Sequence, residues 1–194
     1  EVLDSLRIKH GTQVNYLTLN NMYTTRTELL KLAIQTVTTK LKEKLANTYT
    51  DIPEDKIGKV IQQQAEQVVY TNYINSCLEE LVNQGVKYVE ISYSNFRKIS
   101  EYSVREDLKD KITCKFLLST DRSRTVQKIR QQVKELKKAM DSGHFIGVDI
   151  MGLEVPFTEA DLDYNSSRSF KRKLELLFDG LFQYDNTTLR IHSG

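Results

Sequence analysis

Four short apolar runs in the second half of the chain carry ionisable residues at alternate positions. Side chains alternate along extended backbone, so Val89, Ile91 and Tyr93 share one side of a strand and Glu90 and Ser92 the other. The same alternation sets Thr113, Lys115 and Leu117 against Cys114, Phe116 and Leu118. It sets Gly147, Asp149 and Met151 against Ile146, Val148 and Ile150, and Arg190 and His192 against Leu189 and Ile191. If helices cover the apolar sides, Glu90, Lys115, Asp149, Arg190 and His192 share the opposite side. Two carboxylates then meet cations, and a paired network is expected, because burying such groups unpaired is costly. A charged strand face of this kind suits an active-site floor. The alternative is a set of solvated strand edges, which exposed Glu90 and Asp149 carboxylates would identify.

The elements that must position these residues follow from the hydrophobic period. Strands are expected over 86–93, 112–118, 145–150 and 188–192, and helices over 122–140 and 169–182. Strand thus alternates with helix, as in parallel βαβ units. The strand starts at 86, 112, 145 and 188 lie 26, 33 and 43 residues apart, which fits a (β/α)8 barrel with its average of ~31 per unit. A doubly wound open sheet fits as well, although the Gly-x-Gly-x-x-Gly phosphate fingerprint is absent. Before them, a helix from Thr27, the expected N-cap, to Leu45 would bury Leu30, Ile34, Val37 and Leu41. A second, from Pro53 or Glu54 to Gln84, carries the stripe Ile57, Ile61, Ala65, Val68, Ile74, Cys77, Leu78, Leu81 and Val82, and stops at Gly85. Residues 14–19 read as a short strand or an irregular lead-in, and 48–53 as a break.

Composition narrows the function classes. The chain has 194 residues, with 28 Lys and Arg against 26 Asp and Glu, a net charge of +2. That balance does not suit a dedicated polyanion binder, so nucleic acid is not an expected partner. With 39% hydrophobic and 28% charged residues the chain should fold. Cys77 and Cys114 lie inside apolar patterns and read as buried free thiols in a reducing, cytoplasmic setting. No apolar run is long enough to cross a membrane, and no signal peptide is visible. The sequence begins at Glu1 and stops at Gly194, just after an apolar run, so a piece of a larger protein is expected.

Three stretches carry a resemblance: Tyr88-Val89-Glu90-Ile91-Ser92-Tyr93-Ser94, Gly147-Val148-Asp149-Ile150-Met151-Gly152-Leu153-Glu154, and Arg190-Ile191-His192-Ser193-Gly194. In this order they resemble the adenosine deaminase family of metal-dependent amidohydrolase barrels, with its Y-V-E-x-x-Y-S, D-L-x-G-x-E and H-A-G-E motifs, over roughly residues 66–194. The resemblance implies an α/β fold: a partial (β/α)8 TIM barrel, its first-half portion over 85–194, after a helical lead-in over 1–84. It implies one zinc ion that activates water for attack on a purine nucleoside or nucleotide. It makes His192 a metal ligand and Gly152 a backbone contact to the purine, with Glu154 in a local pocket role.

The departures are equally specific. No H-x-H supplies two further ligands, and His10 stands alone. Ser193 replaces the usual Ala, and Leu153 a commonly polar residue. The catalytic Glu of H-A-G-E would follow Gly194, and the later His and Asp would also lie beyond it, so no catalytic residue lies within the chain. The resemblance implies a hydrolase when full-length and an inactive fragment alone.

The competing readings are a noncatalytic deaminase-like scaffold and another TIM-barrel enzyme, one binding a phosphorylated substrate. In the scaffold reading the N-terminal helices form a surface for a homo-oligomer or larger assembly. His144 reads as a loop residue, and Lys171, Arg172, Lys173 and the basic residues of 128–138 as solvated helix faces.

Overall fold

The computed structural model describes residues 23–45, 54–152 and 167–192. In chain order the elements are α1 (Tyr23–Leu45), α2 (Glu54–Asn83), β1 (Tyr88–Tyr93), 3-10 turns at Phe96–Lys98 and Glu106–Leu108, β2 (Thr113–Asp121), α3 (Val126–Asp141), β3 (Phe145–Met151), α4 (Ser167–Leu181) and β4 (Thr188–Ile191). The order of helices and strands is the one the period predicts. Thr27, expected as an N-cap, lies inside α1, which begins at Tyr23. α3 begins later than expected. Thr125 is its N-cap and accepts a 3.2 Å hydrogen bond from the Lys128 N–H, satisfying one otherwise orphaned donor. The expected lead-in at 14–19 and break at 48–53 lie outside the described residues.

The described residues form two compact units. The first contains α1, α2 and Arg97–Thr113. Ile34 of α1 packs with Ala65 and Val69 of α2, joined by Leu30, Val37 and Leu41. Val69 takes the buried place expected of Val68, which is exposed. Further along α2, Ile74, Cys77 and Leu78 are buried as the stripe requires. Two polar residues interrupt it for a reason the period does not reveal. Gln67 Nε2 donates to Ser100 Oγ at 2.9 Å, and Asn75 Nδ2 donates to the Ser103 carbonyl at 3.0 Å. Asn75 Oδ1 accepts from the Arg105 N–H, also at 3.0 Å. These bonds satisfy both buried amides and hold the 97–108 segment, whose Ile99, Tyr102 and Leu108 are buried.

The second unit contains Tyr88–Phe96 and the chain from Cys114 onward. Its strands form one sheet in the order β1-β2-β3-β4. β3 pairs in parallel with both β2 and β4. This sequential order has no reversal point, unlike the crossing order of a doubly wound sheet. Gly147 makes the β3–β4 pairing possible: a Cβ there would lie 1.7 Å from the Thr188 carbonyl oxygen. α3 and α4 approach closely where Gly180 meets Val133. Tyr184 ties the end of this pair together, donating to Asp141 Oδ1 at 2.7 Å.

One buried bond shows which sheet face the helices cover. Thr120 of β2 donates to Gln132 Oε1 of α3 at 2.6 Å, and Gln132 Nε2 returns a 3.0 Å bond to the Ser119 carbonyl. Thr120 lies on the same side as Phe116 and Leu118, so this is the helix-covered face. Ser119, Asp149 and Arg190 stand opposite one another in register. Alternation puts all three on the other face. The expected separation into an apolar helix side and a charged far side is observed.

Candidate functional site

Asp149 is the centre of the charged face. Its side chain is 0% exposed, although it is ionisable. Three groups converge on one carboxylate oxygen, Oδ2. Ser92 Oγ of β1 donates to it in a short hydrogen bond. Arg190 Nη2 of β4 donates at 2.8 Å, and His192 Nε2, just past β4, lies at 3.0 Å. Arg190 Nη2 also donates to Ser92 Oγ at 2.5 Å, which closes a ring of contacts among the three strands. Glu90 forms the outer edge. Its Oε2 lies 3.8 Å from Arg190 Nη1, and its Oε1 accepts from the Tyr88 hydroxyl at 2.8 Å.

The chain positions this cluster by simple means. Strand alternation puts Glu90 and Ser92, and Arg190 and His192, two apart on one face. Parallel register puts Arg190 directly across from Asp149. The His192 N–H donates to the Ile150 carbonyl at 2.9 Å, so the backbone pairing carries on past the end of β4 and fixes the ring beside Asp149.

Burial by itself pushes the Asp149 carboxyl up. The hydrogen bonds from Arg190 and Ser92, with the positive charge of Arg190, outweigh it and hold the group below the usual carboxylate range. The same contact with Asp149 holds the Arg190 guanidinium above its ordinary value. Asp149 is therefore an anion at neutral pH. Its other oxygen, Oδ1, is closed from solvent and has no hydrogen-bond partner among the described residues.

Four of the five residues expected on the charged face thus meet, and Ser92 joins them. The carboxylates lie inward, Glu90 being 26% exposed, so the solvated-edge alternative does not hold. Lys115 is the exception and corrects the expectation. Its Nζ donates to the Gly143 carbonyl at 3.3 Å, just before β3 begins, at the other end of the sheet. The period assigns a face but not a height along the strand, so it does not separate Lys115 from the cluster.

Gly152 follows β3 directly, at the same sheet end as His192. Its φ of +108° falls where only glycine is unstrained, and a Cβ would lie 2.9 Å from Asp121 Oδ1. Asp121 closes β2 and accepts the Ser123 N–H at 2.7 Å. Hydrogen bonds from Ser123 keep its carboxyl below the usual range, although burial opposes them. Arg122 Nη2 donates a short bond to the His192 carbonyl, and its guanidinium stands 5.7 Å over the Phe170 ring. Glu154, Leu153 and Ser193 lie outside the described residues.

Lys173 corrects another expectation. The reading that places it with Lys171 and Arg172 on a solvated helix face does not hold, because it is 2% exposed. Its Nζ donates to the Arg122 carbonyl at 2.6 Å. Burial lowers its pKa, partly offset by Asp121. The signal was present: Lys173 lies three residues after Phe170 and four before Leu177, on the apolar side of α4. The other assignments stand. Arg172 pairs with Glu175 in the open, and Lys128, Lys134, Lys137 and Lys138 are exposed. Cys77 and Cys114 are both buried, as their apolar patterns require.

The donor set bears on the zinc ion implied above. A catalytic zinc takes three protein ligands and keeps a position for water. His192 and Asp149 offer one nitrogen and one carboxylate. Among the described residues no group of three or more His, Cys, Asp or Glu could hold a metal ion. These residues do not make a zinc site by themselves. Among the described residues no helix is long and apolar enough to cross a membrane. No protein-family model, curated protein or solved structure matches the chain.

Proposed function

We propose that this chain contributes part of a (β/α)8 barrel to a zinc-dependent hydrolytic deaminase acting on adenosine or a related purine nucleoside or nucleotide. One observation carries the reading. A fully buried carboxylate, Asp149, draws Ser92, Arg190 and His192 together from three strands at the C-terminal end of a sequentially ordered sheet. Strand C-terminal ends are where barrels of this type build their sites. The three stretches that resemble deaminase motifs all run to this end, which further supports the assignment. Zinc would supply a water activated near neutral pH. His192 is the residue of this chain proposed to bind it, and the reading requires further ligands outside the described set. Gly152 would let a planar base approach the backbone closely.

The test is metal analysis and turnover of the polypeptide carrying this sequence, expressed in zinc-supplemented medium. The reading expects about one zinc per chain and conversion of adenosine, or another 6-aminopurine, to the 6-oxo product with release of ammonia. Purified protein with neither would remove it.

A second reading is favoured by one feature of the same cluster. Arg190 lies against both Asp149 and Glu90, so the charges on this face already satisfy one another. A noncatalytic deaminase-like scaffold needs no more than that. Absence of both zinc and turnover in a folded protein is the result this reading expects.

A further inference from the structure

The two donors on Asp149, Ser92 and Arg190, determine what the His192 ring can offer to a ligand. A guanidinium 2.8 Å from Oδ2 and a serine hydroxyl on the same oxygen hold Asp149 as a carboxylate, which can only accept hydrogen bonds. His192 Nε2 lies 3.0 Å from that same oxygen. Two acceptors cannot share one hydrogen bond, so Nε2 must carry the proton. In the neutral ring the lone pair then belongs to Nδ1. The ring is 53% exposed, so an incoming group can reach it.

We infer that Ser92 and Arg190 are positioning residues for His192. Acting through Asp149, they commit Nε2–H to the carboxylate and leave Nδ1 as the nitrogen open to an incoming cation. A partner that fixes one ring nitrogen commonly decides which nitrogen does the work. Neither Ser92 nor Arg190 touches that nitrogen. The order along the chain is Ser92 and Arg190 to Asp149, Asp149 to Nε2, and the ring to Nδ1. The inference concerns the ring in the metal-free chain and does not depend on the deaminase reading.

The experiment is long-range proton–nitrogen NMR of the 15N-histidine-labelled chain at a pH where imidazole is neutral, with His192 assigned by its loss in His192→Gln. Wild type should show one tautomer, with Nε2 protonated, Nδ1 bare and the Nε2 proton slow to exchange with water. Combining Ser92→Ala with Arg190→Gln should speed that exchange roughly tenfold or more, because the carboxylate loses the charge-assisted bonds that hold it in place. The tautomers should then approach the mixture of a free histidine ring. Arg190→Lys keeps the positive charge and should retain most of the protection. Amide spectra of each variant establish that the fold is kept. If the double variant fails to fold, Ser92→Ala alone should show the same change to a smaller extent. An Nδ1-protonated ring in the wild type would overturn the inference. So would unchanged exchange and tautomer ratio in the folded variants. Either result would leave zinc binding and purine turnover to be decided by their own assays.

Discussion

Replacing Arg190 with Met tests the energetics of the cluster directly. The substitution keeps much of the aliphatic stem and removes the guanidinium from a carboxylate that is 0% exposed. A hydrogen bond to a charged group contributes about 1.5–3 kcal/mol. Removing one partner of a buried pair costs about 3–5 kcal/mol, because the remaining charge stays buried. Arg190 is 38% exposed, so solvent screens part of that interaction, and Ser92 and His192 remain on Oδ2. The expected loss at pH 7 is therefore about 1–3 kcal/mol. The pH dependence carries more information than the size. In the wild type the Asp149 carboxyl lies below its unfolded value, so its stabilisation is present above that value and lost as pH falls through the folded one. Without Arg190 the burial effect is less opposed and the folded value rises. The gap between the two proteins should then narrow as pH falls from 7 towards 4. Urea unfolding followed by circular dichroism across that range measures both. A loss below about 0.5 kcal/mol, typical of a surface substitution, or a gap that does not change with pH, would show that Arg190 does not hold the Asp149 carboxylate.

Gly147→Ala places a Cβ on the Thr188 backbone, which cannot move aside as a side chain can. It should cost about 3 kcal/mol or more in urea unfolding, and a loss under about 1 kcal/mol would contradict the β3–β4 register. Gly152→Ala meets a φ of +108° and the Asp121 carboxylate, so a loss of about 1–3 kcal/mol is expected, with Gly152→Ser no better. Lys173→Met removes a cation whose pKa is lowered by burial. Over the window between its folded and unfolded values the unfolded wild type binds more protons, so wild-type stability should rise relative to the variant as pH rises towards about 10. Parallel stability curves would place Lys173 in solvent.

The parts of this molecule legible in the sequence are those set by period. Alternation along β1, β3 and β4 puts Glu90, Asp149, Arg190 and His192 on one face, and it was enough to expect them together. The stripe of Leu30, Ile34, Val37 and Leu41 likewise identifies the buried side of α1. Failures occur where height along an element or a polar partner decides. Lys115 has the right face but bonds to the Gly143 carbonyl at the opposite sheet end. Lys173 shares a helix face with Phe170 and Leu177, which marks its side, but the Arg122 carbonyl that receives its buried ammonium lies far away in the chain. Gln67 and Asn75 interrupt an apolar stripe because they hold a loop that lies many residues later in the chain. Ser92 stood on the expected face, but its role appears only when Asp149 and Arg190 reach it from two other strands.

We propose that the Asp149–His192 end of the sheet belongs to a purine-deaminating site. The most direct measurement is ammonia release from adenosine and related 6-aminopurines by the zinc-loaded polypeptide carrying this sequence, with His192→Ala beside it. Turnover by the wild type is expected, with a loss of about a hundredfold or more in the variant and weakened zinc retention. Equal turnover by the two folded proteins, or none from the zinc-loaded wild type on any of these purines, would contradict the proposal.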